Sequence, residues 1–428
     1  MTDSLKVLMM GGRRAGKTSV LAGLLETMLH GEVRNFVSIT DVTEATSDNE
    51  SLDEKISELK QCLVKKRDKV FLVDDSKTSN FVNHDLQIRL PNGNGVLNIE
   101  FKDANGEFYE SQSEYDIGNG SVVQREEIVR AVEESDVYII AIDTPYMMEA
   151  VNPRNKLCDE SVNRAYNHVS DIHSYLTHID DKDGADAKMV LFVPLKCEKW
   201  AKAGEINKVV ERTKEVYSVV IKALKSYKNI EIDIIPVQTV GSIEFLEHKT
   251  AYVCSNEKFV ARKCCVSEDE TQVRFENGEE RRILLSDMIN EDPEARISKF
   301  HHIIRPYSWF HITGAEYSPH NCEQLAYYIL QFLLNKYIFV KKMEEAKDDG
   351  GLFGIRLLRG IVAFFMFLAG IPDDIRRMVT SKINQIFRMV SFDELSSLVN
   401  SLHEKGLIKQ NTEGIENINK SLLDRYNR

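Results

Sequence analysis

The stretch LKVLMMGGRRAGKTS, residues 5–19, decides the architecture. Its first six residues are an apolar run of strand length, stopped by two glycines. Gly11 to Thr18 (GGRRAGKT) fits G-x-x-x-x-G-K-[ST]. It stands between that run and a helical pattern from Lys17 to His30, the context such a loop requires. Glycines let backbone N–H groups converge on phosphate oxygens, and the helix N-terminus adds partial positive charge. Gly11, Gly12, Arg13, Arg14, Ala15, Gly16, Lys17, Thr18 and Ser19 are therefore the expected phosphate cradle. Lys17 would reach the β- and γ-phosphates, and the Thr18 hydroxyl would bind Mg2+.

Outward from this loop, DLQIRL (85–90) and VLNIEF (96–101) flank PNGNG, and Asn-Gly between two strand-like runs predicts a hairpin. VYIIAID (137–143), MVLFVPL (189–195) and IDIIPV (232–237) are further strand-like runs. Helical patterns lie near 51–67, 122–134, 160–179 and 205–227. Strands alternating with helices predict an α/β fold, a doubly wound, mainly parallel sheet covered on both faces. Residues 242–318 break the rhythm with short strands and turns, and read as an inserted small subdomain. An apolar helix over 321–342 returns to the first domain, which thus comprises 1–241 plus 319–346. KDDGG (347–351) is a linker, and 352–428 reads as a C-terminal helical module.

The formal net charge is −12, with 43% hydrophobic and 29% charged residues. That is the composition of a globular domain, and its acidity argues against nucleic acid as a partner. Seven cysteines, an odd number without a C-x-x-C pair, predict a reducing, cytoplasmic setting. The N-terminus lacks the basic start and cleavage site of a signal peptide. Within LFGIRLLRGIVAFFMFLAGI (352–371), the uninterrupted apolar run 361–371 is short for a bilayer-spanning helix, which stays the last of three alternatives. It predicts a buried helix or an oligomer contact, with membrane-surface contact as the alternative. Ile375, Met378, Val379, Ile383, Ile386, Phe387 and Val390 recur at helical spacing, so 352–428 is expected to contact a partner protein or a second copy. His168, His173 and His178 do not share one helical face and predict no metal site.

DANG, Asp103 to Gly106, closes the second hairpin strand. An acidic residue at a strand end near a phosphate loop is placed to hold Mg2+ through water, and the Gly106 amide to bond the γ-phosphate. Loop and helix, antiparallel hairpin, then D-x-x-G resemble, in that order, the Ras-like GTPases of the translation-factor-related class. The resemblance covers roughly 5–241 and 319–342. It implies a Mg2+-dependent switch that binds GTP and GDP and hydrolyses GTP. The large accessory regions resemble those of bacterial GTPases that sit beside effector proteins.

The same resemblance implies an N/T-K-x-D motif, matched here by LKCE (195–198). Lys196 would pack on the base, and Glu198, in place of aspartate, would accept from the guanine N1 and N2 hydrogens. Gln238, Thr239 and Val240 match the small-residue loop whose amides face the base oxygen. Thr78, with Ser76 and Ser79 as rivals, matches a switch threonine and would complete the metal set Thr18, Thr78 and Asp103. Glu107 stands where the family often has a water-positioning glutamine. Arg14, with Arg13, is placed to stabilise transition-state charge as an arginine finger does. Because the base-reading motifs depart from the family's, a P-loop ATPase is the alternative. A nucleotide-bound scaffold that hydrolyses nothing is another.

Overall fold

The fold is taken from a computed structural model, which describes residues 4–12, 15–30, 38–43, 51–65, 70–72, 81–89, 96–104, 120–149, 167–179, 187–227, 230–253, 262–265, 270–274, 280–284, 305–334 and 392–406. Strand β1 (Leu5–Met10) is the middle strand of a seven-stranded sheet. The other members are β2 (Ser38–Asp41), β4 (Val82–Arg89), β5 (Val96–Asp103), β6 (Val137–Asp143), β7 (Lys188–Leu195) and β8 (Ile230–Ile234), in the order β2-β4-β5-β1-β6-β7-β8. β5, β1, β6, β7 and β8 are mutually parallel, while β2–β4 and β4–β5 are antiparallel. Every residue of β6 and β7 is buried, as expected of strands covered on both faces, whereas burial alternates along β5.

From β1 the chain goes to the edge strand β2, returns inward through β4 and β5, then crosses β1 and winds outward through β6, β7 and β8, so the sheet has a topological switch point at the C-terminal end of β1. Ligand crevices form at such points. The loop after β1 opens α1 (Lys17–His30), against which α2 (Leu52–Lys65) packs. A capping box starts α2: the Glu54 amide donates to Ser51 Oγ at 3.2 Å, and the Ser51 amide to Glu54 Oε2 at 3.2 Å. Further helices are α3 (Gly120–Glu134), α4 (Thr144–Met148), α5 (Val169–Leu176) and α6 (Glu198–Lys202). The helix expected over 205–227 is two, α7 (Ile206–Val216) and α8 (Ser218–Ser226). Tyr217 separates them: it is fully buried, and its ring stands edge-on to Phe192 at 5.3 Å. Helix α9 covers 323–334, and α10 is Phe392–Glu404.

A second, antiparallel sheet has the order β12-β11-β10-β9-β13-β3. Five of its strands come from the stretch expected to be inserted: β9 (Ile243–Val253), β10 (Arg262–Cys265), β11 (Glu270–Arg274), β12 (Glu280–Leu284) and β13 (Arg305–Ile312). The sixth, β3 (Val70–Leu72), comes from far earlier in the chain and pairs with β13. This sheet docks on the first through an aromatic cluster. Phe245 of β9 stacks on Trp200 of α6 (6.2 Å) and meets Phe310 of β13 edge-on (5.8 Å). The apolar runs at 352–371 and 375–390 lie outside the described residues. No helix among the described residues is long and apolar enough to cross a membrane.

Candidate nucleotide site

The site is built where β1, β5, β6 and β7 end. Gly11, at φ 148°, passes so close to β6 that a Cβ there would stand 2.4 Å from the Ala141 carbonyl oxygen, so only glycine fits. Gly16, at φ 107°, is the second position requiring glycine. The Lys17 side chain is buried and turns back over the loop, donating to the carbonyls of Gly11 (3.1 Å) and Gly12 (3.2 Å). Thr18 Oγ1 donates to Asp103 Oδ2 at 3.1 Å, and Lys17 Nζ lies 3.7 Å from Asp103 Oδ1. The Ala104 amide, donating to the Met9 carbonyl at 3.0 Å, fixes the end of β5 beside β1.

Burial pushes the Asp103 carboxyl above the ordinary carboxylate range, against the opposing pull of Lys17, His84 and Thr18. Its Oδ1 is buried and accepts no hydrogen bond. A hydroxyl and a carboxylate with a free buried oxygen, side by side at a phosphate loop, are donors that suit a hard divalent cation such as Mg2+. His84 of β4, in register with Phe101 two residues before Asp103, is fully buried with neither ring nitrogen hydrogen-bonded. Burial lowers its pKa although Asp103 and Asp41 pull it upward.

Residues expected to face a base converge on the same loop. A Cβ at Gly16 would lie 3.8 Å from Lys196 Cε and 4.0 Å from Thr239 Cγ2. Lys196 has φ 59°, one of three positive values at non-glycine residues among those described. Such backbone strain gathers at functional sites. Its ammonium is buried, 2.6 Å from Asp143 Oδ2 and 5.8 Å from the Phe310 ring centroid. Glu198, 4% exposed, begins α6. Its Oε1 accepts from the amides of Val240 (2.9 Å) and Gly241 (3.3 Å) and from Thr239 Oγ1 (3.4 Å). Oε2 is buried without a hydrogen bond. Burial raises this carboxyl's pKa, and the loop amides oppose the rise. A polar cavity of about 490 Å³ borders it, lined among others by Gln238, Gly241, His320 and Asn321. Between Lys196 and Glu198, burial pushes the Cys197 thiol up to about 12, so it is no nucleophile.

The structure therefore brings together Gly11, Gly12, Ala15, Gly16, Lys17, Thr18, Asp103, Lys196, Glu198 and Thr239. Arg13, Arg14, Thr78, Gly106 and Glu107 lie outside the described residues. Sequence reasoning missed Asp143, whose amide donates to Asn167 Oδ1 at 2.7 Å. Its signal was there: an acidic residue ending an otherwise apolar strand.

No protein-family model matches the chain, and no curated protein does. Solved structures similar to it include the signal recognition particle receptor SRb-GTP/SRX complex from Chaetomium thermophilum. That match has 10% identity, covers 56% of this chain and 93% of the other, and has a TM-score of 0.29. The cytosolic domain of L. pneumophila FeoB matches at 12% identity over 55% of this chain and 62% of its own, TM-score 0.24. The S. cerevisiae Ski7 GTPase-like domain, bound to GDP and inorganic phosphate, matches at 12% identity over 64% and 58%, TM-score 0.27.

Proposed function

We propose that this chain is a Mg2+-dependent, GTP-binding and GTP-hydrolysing switch that controls a partner protein. The observation that carries the reading is the placing of Lys17, Thr18 and Asp103 around one glycine-shaped loop at the switch point of the sheet. Lys17 can exchange its bonds to the Gly11 and Gly12 carbonyls for phosphate oxygens without leaving the cradle. Thr18 and Asp103 would hold the cation, which when bound neutralises phosphate charge. Lys196 would lie against the base, and the buried Oε2 of Glu198 offers an acceptor for a donor edge such as that of guanine. Thr78, Glu107 and Arg14 keep the roles that the family resemblance implies.

The test is a titration with fluorescent GDP and ATP analogues, followed by phosphate release. Tight guanine-nucleotide binding is expected. Lys17→Ala should weaken it about 100-fold or more, because hydrogen bonds to charged groups are worth about 1.5–3 kcal/mol each. Glu198→Ala should erase the preference for guanine. Binding retained in Lys17→Ala would refute the phosphate-loop reading, and binding without phosphate release would make the chain a scaffold. The alternative of an ATPase has its own observation, the raised pKa of Glu198. A carboxyl that took up a proton would offer an O–H donor, which suits adenine N1 rather than guanine N1–H. Equal affinity for ATP and GTP would favour it.

A further inference from the structure

Two of the ties between the second sheet and the nucleotide site lead to one short strand pair. Phe310 of β13 is 1% exposed, and Lys196 Nζ lies 5.8 Å from its ring centroid, within reach of a cation–π contact. In the β3–β13 register the same residue stands opposite Phe71. The other tie is covalent. The chain that forms β3 next enters the main sheet as β4, whose first residue, Val82, is in register with Asp103. One strand of the pair thus answers to Lys196 and the other to Asp103.

The pair itself joins only Trp309 with Leu72, Phe310 with Phe71 and His311 with Val70, and β3 is the outermost strand of its sheet. For so short an edge strand, the net gain from hydrogen bonds and the cost of ordering the backbone are of similar size. A small bias therefore decides whether it pairs.

We propose that β3–β13 pairing and nucleotide binding are thermodynamically coupled through Phe310, so that the second sheet senses whether the site is loaded. The inference rests on the nucleotide reading above. A ligand that fixes Lys196 and Asp103 fixes the anchors of both strands, and ordering them then costs less. Coupling between two sites is reciprocal, so the intact strand pair also strengthens nucleotide binding. Phe310 is a positioning residue: it acts through Lys196.

The experiment is hydrogen exchange on the full chain, with and without saturating Mg-GDP, with occupancy checked by titration in the same buffer. Peptides spanning 70–72 and 305–312 are expected to exchange about fivefold or more slowly when nucleotide is bound. Peptides from β6 and β7 should change less. Phe310→Leu, which keeps an apolar side chain but removes the ring, should lose the selective slowing, while Phe310→Tyr keeps it. In the reverse direction Phe71→Pro, which lacks a backbone N–H, should weaken GDP binding about fivefold. Bound nucleotide without selective slowing, slowing undiminished in Phe310→Leu, or unchanged affinity in Phe71→Pro would each overturn the coupling and leave the nucleotide reading standing. Absence of any binding would overturn both.

Discussion

Lys196 is 6% exposed and forms an ion pair with Asp143 at 2.6 Å. Removing one partner of a buried ion pair strands the other and costs about 3–5 kcal/mol. Asp143→Ala should lower the unfolding free energy by that much, and adding Lys196→Met should restore most of it, as read from urea unfolding. A single substitution no worse than the double would show that the pair carries no such cost. Asp233 of β8 makes a second residue-level case. Burial pushes its carboxyl from 3.8 to about 6, although the Ile234 amide donates to it at 2.7 Å. The folded state holds the proton more tightly than the unfolded one. Stability is therefore unaffected below the ordinary value, falls as pH rises through the window to about 6, and stays lower by roughly 3 kcal/mol above it. Asp233→Asn should raise the urea midpoint at pH 7 and leave it unchanged near pH 3.5. The phosphate-loop residues were legible because their chemistry is written in one contiguous stretch. Asp143 and His84 were not, because each gains its meaning from strands that only the folded sheet sets beside it.

At the level of elements, the docking of β9 on α4 turns on His248. Its Nε2 lies 3.1 Å from the Pro145 carbonyl oxygen and its Nδ1 3.4 Å from Ser308 Oγ, while its ring stacks on Tyr146 at 4.6 Å. A neutral ring satisfies both, with Nε2–H donating and Nδ1 accepting. Burial holds the pKa below the ordinary 6.5, although Asp143 and Glu149 pull it up, and Lys196 pushes in the same direction as burial. The unfolded chain takes up the proton first as pH falls. Stability from this contact is therefore full above about 6.5 and declines below it. Replacing His248 with Phe should flatten the fall in unfolding midpoint between pH 7 and pH 5; an unchanged slope would assign that fall elsewhere. Strands such as β6 and β7 were readable because burial on both faces demands continuous apolar runs. β3 was not, since a lone run of four apolar residues, Val70 to Val73, in a polar stretch carries no period. The break at Tyr217 was hidden because the helical pattern continues through it; the turn comes from the tyrosine ring entering the core.

On the scale of the whole molecule, β1, β4, β5, β6, β7 and β8 could be read in order from sequence because each is a distinct apolar or alternating run, whereas β2 and β3 lie in a polar stretch and could not. The expected output module at 352–428 remains a proposal, since only 392–406 within it is described. There Leu395, Leu398, Val399 and Leu402 of α10 are buried within the chain itself, so this stripe is not a surface offered to a partner. Deleting everything after Asp349 is expected to leave nucleotide binding intact and to abolish self-association or partner capture, as read by light scattering and titration. Aggregation with loss of binding would instead make the segment part of the core. The origin of β3 has a consequence for biosynthesis. A ribosome adding about 5–20 residues per second finishes Leu72 on the order of tens of seconds before Trp309, its register partner, exists. Until then β3 has no β13 to pair with. The nascent chain must carry that apolar run without its strand partner, as bait for chaperones or for neighbouring chains, through most of its own translation.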